Sequence, residues 1–208
     1  MTYKETITIK DEVVTQQEIK KSKFITYLMP VDNEDEAKNY LKLVKKTHPK
    51  ATHHCSAYIV KGIERSNDDG EPASSAGLPM LEVLRGNRME GVIAVVVRYF
   101  GGTELGVGGL IRAYGSSVTL GIQEAEILRP QIIYIYVLKF DYQYTNDVEN
   151  FLVPIGKVEN REYTDRAEYT VYLQDESTIK ELEDITRGTI IINKEGERIE
   201  LVGGKYGN

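Results

Sequence analysis

Two periodicities alternate along the chain, and the places where one gives way to the other predict its elements. The opening runs "ETITIK" (5–10) and "EVVTQQEIK" (12–20) alternate apolar and polar positions on either side of Asp11, which predicts a hairpin. "FITYLMPV" (24–31) follows as a third strand. From Asp32 the period lengthens, and Ala37, Leu41 and Val44 fall on one face of a helix in "DNEDEAKNYLKLVKKTHP". Asp32 or Asn33 is placed to cap it, acids crowd its first turn, Lys45, Lys46 and His48 occupy its last, and Pro49 marks its end.

"CSAYIVK" (55–61) predicts a strand and "GIERSNDDGEPASSAG" (62–77) a long polar loop. "LPMLEVLRG" (78–86) reads as a short helix with Pro79 near its start and Gly86 just past its end. "GVIAVVVRYF" (91–100) is apolar on both faces, which places it centrally in a sheet. A helix is expected from about Gly108 to Glu126, with Ile111, Val118, Ile122 and Ala125 inward and Gly115 and Gly121 marking close backbone packing.

"LRPQI" (128–132) reads as a linker in which Pro130 ends the helix. Beyond it come a strand "IYIYVLKF", a helix "YTNDVENFLVPIG", strands "KVENREYT" and "RAEYTVYL", and a helix "DESTIKELEDITRG" capped by Asp175 or Ser177. A strand pair around "TIIIN" and "RIELV" closes the chain. This βαββαβ order matches the ferredoxin-like split βαβ. The expected fold class is α+β in two domains, residues 1–130 and 131–208.

Composition narrows the function classes. The 208 residues suffice for two cores, and the longest apolar runs, such as "VIAVVV", are of strand length, so no membrane partner is expected. The N-terminus has neither an apolar signal core nor an Arg-rich presequence, which makes a cytoplasmic location the expectation. A single cysteine, Cys55, excludes an intrachain disulfide and a thiolate-rich metal site. Residues 1–130 carry 17 Lys/Arg and 17 Asp/Glu; residues 131–208 carry 9 and 15, the whole of the net charge of -6. A polyanion would therefore meet the first domain.

"VVVRYFGGTELGVGGLIRAYG" (95–115) sets Gly101, Gly102, Gly106, Gly108 and Gly109 between Arg98 and Arg112. Glycines lose more backbone entropy on folding than other residues, so the cluster needs a reason. It is either a tight strand–helix corner or an anion cradle of free backbone N–H groups at a helix N-terminus. Neither nucleotide fingerprint fits the spacing. Arg98, ending a buried strand, calls for an anion, whether a ligand or one of Asp68, Asp69 and Glu71 in the acidic loop. Those three carboxylates could hold a metal or handle protons, or be turn residues in water. We expect Arg98, the glycine loop and the three acids to converge on one surface pocket. In "THHCSAY", His53 and Cys55 share one strand face and His54 the other, open to Cys-His nucleophilic chemistry or to a buried thiol acting as a small hydrophobe. "KKSK" (20–23) is basic beside Phe24, either a solvated strand face or a phosphate contact.

"KSKFI", "ATHHCSAY", "ERSNDDGEPASSAGLPMLEVL" and "VVVRYFGGTELGVGGLIRAYG" occur in the order of the IMPACT family, and the chain resembles that family's YigZ-like bacterial group over about residues 21–115. The resemblance implies an N-terminal fold like one in a small-subunit ribosomal protein and in a domain of elongation factor G. It implies a ferredoxin-like C-terminal domain like the neighbouring domain of that factor. The family's eukaryotic members regulate translation by competing for the activator of a stress-responsive initiation-factor kinase, using a further N-terminal domain that lies outside these motif blocks. No catalytic residues, metal or cofactor are implied.

Two functions follow. The first is a non-enzymatic, translation-associated regulator that binds RNA or the ribosome, or a protein partner in translation. Lys21, Lys23, Arg98 and Arg112 would supply charge, and Gly101, Gly102, Gly106, Gly108 and Gly109 backbone donors. The second is a hydrolase or transferase acting on a phosphorylated small molecule, with the glycine loop cradling phosphate and Asp68, Asp69 or Glu71 handling protons or a metal.

Overall fold

The computed structural model describes residues 6–205, which divide into two compact units, 6–129 with 202–205, and 130–201. In the first unit a short strand β1 (Thr8–Ile9) precedes β2 (Val13–Ile19) and β3 (Ser22–Pro30). Helix α1 (Glu34–Thr47) leads to β4 (His53–Val60) and β5 (Ile63–Asn67). Helix α2 (Gly77–Gly86) leads to β6 (Val92–Tyr99), and α3 (Val107–Glu124) runs into the long strand β7 (Glu126–Phe140).

The expected hairpin about Asp11 does not form. β1 pairs with β7 (Thr8↔Leu128, Ile9↔Ile127), and the hairpin is β2–β3, closed at Ile19↔Ser22 by Lys20 and Lys21. A period-two pattern fixes which face of a strand is buried but leaves its partner open. The main sheet runs β2-β3-β6-β4-β5 with every neighbour antiparallel. β3 and β4 are therefore parallel, joined by α1 and split by β6. As its double-sided apolarity demands, β6 is central and buried from Val92 to Arg98.

Helix α1 covers one face of this sheet, packing Ala37, Tyr40 and Val44 against Ile93, Val95 and Val97. Its cap is Asn33, whose side chain accepts from the Glu36 N–H at 2.9 Å while Glu36 accepts from the Asp32 N–H at 2.8 Å. Helices α2 and α3 cover the other face, with Met80, Leu84, Tyr114 and Val118 on Phe24, Leu28, Ala94 and Val96. The inward stripe of α3 is Leu110, Ala113, Tyr114, Ser117, Val118, Gly121 and Ile122, and Ile111, expected inside, is 41% exposed. Gly121 allows the close approach expected of it, since a Cβ there would meet Leu28 Cδ1 at 2.8 Å.

The second unit continues β7 through a 3-10 turn into α4 (Thr145–Leu152), then β8 (Gly156–Tyr163) and β9 (Ala167–Leu173). Next come a 3-10 turn (Ser177–Lys180), α5 (Glu181–Ile185) and β10 (Ile191–Lys205). β9 lies between β7 and β8, all antiparallel, and β10 pairs with β7. Its core holds Leu138, Phe140, Val148, Leu152, Tyr169, Val171, Leu173 and Leu182. Three local expectations need correction. Pro130 lies inside β7 rather than in a linker, the helix over 175–188 is broken into a 3-10 turn and a short helix, and the terminal strand pair is the single strand β10. Among the described residues no helix is long and apolar enough to cross a membrane.

Candidate functional site

The end of the sheet where β3 starts and β6 finishes gathers the residues singled out above. Arg98 is only 5% exposed. Its Nη1 donates to Glu71 Oε1 at 2.7 Å, its Nη2 to Ser22 Oγ at 3.4 Å, and its guanidinium lies 5.6 Å from the Phe24 ring centre and 5.5 Å from that of Phe100. The Tyr114 hydroxyl donates to the same Glu71 oxygen at 2.7 Å, and His53 Nε2 stands 3.8 Å from the other. Burial, reinforced by Cys55 and Glu71, pushes the Tyr114 phenol well above its usual range, so it stays a proton donor to the carboxylate.

The anion that Arg98 calls for is thus internal. Of the two alternatives, a ligand or an acid of the loop, the fold gives Arg98 the loop acid Glu71, which is buried with it. Asp68 and Asp69 turn elsewhere. Asp68 accepts from the backbone N–H groups of Ser74, Ala76 and Gly77 at 2.8, 3.0 and 2.8 Å, which secures the start of α2. Asp69 pairs with Lys45 Nζ at 2.7 Å and accepts from the His54 N–H at 2.7 Å. Burial alone would raise the Asp69 carboxyl, but Lys45 and the His54 amide together hold it below its ordinary value. The three acids therefore serve three different partners, and the expected convergence reduces to the Arg98–Glu71 pair.

Cys55 is fully buried and donates to the Asp68 carbonyl at 3.0 Å. Burial, aided by the nearby carboxylates, pushes its thiol up to about 12, so at neutral pH it is a small hydrophobe and not a nucleophile. His53 Nδ1 bonds the Asp69 carbonyl at 2.9 Å and His54 Nε2 the His48 carbonyl at 3.0 Å, both holding loops to the sheet. Among the described residues no group of three His, Cys, Asp or Glu side chains is arranged to hold a metal ion.

Outside this network lies a basic surface. Lys20 and Lys21 form the whole β2–β3 turn with φ of 47° and 66°, the left-handed pair of a type I′ hairpin that Asn-Gly normally fills. Gly101 packs against this turn so closely that a Cβ would lie 2.0 Å from the Lys21 carbonyl, and its N–H donates to Ser22 Oγ at 3.2 Å. Gly101 is thus the tight corner. Gly102 and Gly106 have φ of 81° and 71° and open space where a side chain would sit. Gly106 caps α3 with no side-chain bond, and no acid stands in the first turn. Gly108 is exposed with Arg112 Nη1 3.7 Å from where its Cβ would be, while Gly109 is pressed against Leu105.

Lys20, Lys21, Lys23 and Arg112 are exposed and have no carboxylate partner among the described residues. They do not all share a face. Lys23 alternates with Phe24 onto the α1 side of β3 and sits opposite Glu18 in register, whereas Arg112 lies on α3. Ser22, Tyr114 and Phe100 are the site residues that sequence reasoning missed. Ser22 and Tyr114 meet partners tens of residues away, and Phe100 is held by Thr52 across 48 residues as well as by the nearby Arg98.

A model of the Impact N-terminal domain matches residues 20–122, a span that includes the Lys20–Lys21 turn, the acidic loop and the glycine loop. The IMPACT family member YvyE of Bacillus subtilis is 39% identical over 197 residues, covering 91% of this chain and 90% of the relative. The chain belongs to the IMPACT family. Its likeness to IMPACT family member YigZ of Escherichia coli is 40% identity over 157 residues, 73% of this chain and 77% of that one. Among solved structures, the crystal structure of a hypothetical protein, 34% identical, aligns with 90% of this IMPACT chain and 96% of its own at a TM-score of 0.58.

Proposed function

We propose that this protein is a non-enzymatic, translation-associated factor that binds RNA, free or in the ribosome, through its first unit. The Lys20–Lys21 turn carries the reading. Two lysines occupy left-handed positions that cost strain for any residue with a side chain, and Gly101 braces the turn from behind. Such strain is accounted for if the two charges must stand at the sheet's end; the start of α3, which carries no side-chain cap, also favours phosphate through its dipole. Residues 1–130 are neutral overall, so this patch acts without opposition from a net negative charge. We read the two units as domains. In the first, the β3–α1–β4 connection split by β6 supports the ribosomal-protein-like fold. In the second, β10-β7-β9-β8 supports the ferredoxin-like one. The phosphoryl-chemistry reading gains no support, because Asp68, Asp69 and Glu71 are each committed to a partner inside the fold.

The test is a salt titration of RNA binding by the full chain and by a Lys20→Asn/Lys21→Gly variant. Removing two phosphate contacts from a single strand should flatten the plot of log affinity against log salt by about 1.4 units. Unchanged affinity and slope in the variant would remove the turn from the interface. Absence of RNA binding together with turnover of a phosphorylated metabolite would establish the enzyme instead.

A further inference from the structure

The ring next to this turn bears on which kind of RNA the site takes, and rests on the reading just given. Phe100 is 48% exposed, yet it is held in place. Its backbone N–H donates to Thr52 Oγ1 at 3.1 Å, and the Arg98 guanidinium lies 5.5 Å from its ring centre. That guanidinium is itself pinned by Glu71 and Phe24, so the ring is backed by an immobile cation. The next residue, Gly101, packs on the backbone of Lys21, which puts the exposed ring on the segment that touches the lysine turn.

A half-exposed aromatic that is fixed from behind, beside cations without carboxylate partners, is the arrangement that holds an unpaired base by its face and its phosphates by charge. In a duplex the base faces are stacked on one another and cannot reach such a ring. We infer that Phe100 is a stacking platform for an unpaired base and that the site takes single-stranded RNA, its phosphates running past Lys20 and Lys21. The exposed Val107 and Ile111 on α3 would equally suit an apolar protein side chain, but the lysine turn favours a polyanion.

The chain has no tryptophan and 14 tyrosines, so Phe100→Trp introduces one tryptophan at the platform, read alone by exciting to the red of the tyrosine absorption. The full-length variant is titrated with a short oligouridylate, an abasic ribose-phosphate oligomer of equal length, and an RNA duplex. The oligouridylate should quench the emission and bind about tenfold more tightly than the abasic oligomer, and the duplex should not quench. In Phe100→Leu, with an unchanged melting temperature, that preference should vanish while affinity for the abasic oligomer stays. Oligouridylate binding without quenching, at the abasic affinity, overturns the platform and leaves RNA binding by charge intact. Failure of all three to bind at low ionic strength removes the RNA reading itself. Full affinity for a protein partner in Phe100→Trp, lost in Phe100→Leu, with no RNA binding, would assign the ring to a protein interface.

Discussion

Arg98 and Glu71 form a buried ion pair, Nη1 to Oε1 at 2.7 Å, with 6% and 4% of their side chains exposed. The pair ties the end of β6 to the acidic loop, and Ser22 Oγ links both to the β2–β3 turn. Removing one partner of such a pair leaves a buried charge, so Glu71→Leu or Arg98→Met alone should each cost about 3–5 kcal/mol. Among the described residues Arg98 Nε has no hydrogen-bond partner, so the pair is not fully satisfied. The double variant should therefore be more stable than either single one. Urea unfolding of the three variants checks this, and additive losses would contradict it.

The Lys20–Lys21 turn should be a site where stability was not optimised. Lys20→Asn/Lys21→Gly supplies the residues a type I′ turn prefers and should raise stability by about 1–2 kcal/mol. Equilibrium unfolding measures it; a loss of stability would show that the lysine side chains make contacts the fold depends on.

Gly101 and Gly102 should respond differently to alanine. At Gly101 a Cβ would collide with the Lys21 backbone, so the turn must shift and stability should fall by about 2 kcal/mol or more. At Gly102 there is space and only the positive φ opposes alanine, so the loss should be about 1 kcal/mol. Thermal melting of the two variants gives the order directly.

Cys55 should be inert in the folded protein. It is fully buried and its thiol is pushed up to about 12, so alkylation at mildly alkaline pH should proceed only in denaturant. Rapid labelling of the native chain, read by mass, would contradict the buried assignment.

His48 couples stability to pH. Its ring lies between the hydroxyls of Tyr27 and Tyr99 at 2.6 and 2.9 Å, and burial, then His54 and Lys23, hold its pKa below the ordinary 6.5. The unfolded chain thus takes up the proton first, and the stability this histidine contributes is full above that value and is lost as pH falls through the folded value. The drop in urea midpoint between about pH 7.5 and 5.5 should be smaller in His48→Gln than in the parent chain. Equal drops would show that His48 does not couple stability to pH.

Local chemistry was legible from the amino acids alone. Asn33 caps α1 because its short side chain reaches the Glu36 N–H three residues on, and β6 is central because no face of "VIAVVV" tolerates water. Family membership was legible too, because the motif blocks are runs of adjacent residues. What the chain order could not decide were the partners. Arg98 finds Glu71 at a separation of 27 residues, Tyr114 finds it at 43, and Ser22 joins Arg98 at 76. Periodicity records that a residue is buried, not what it is buried against. For the same reason β1 left the expected hairpin for β7, Pro130 sits within a strand, and the glycines split into a corner at Gly101 and open, left-handed backbone at Gly102 and Gly106. Only the packed fold chooses among partners that satisfy a local pattern equally well, because their energies differ through contacts that exist only once distant segments meet.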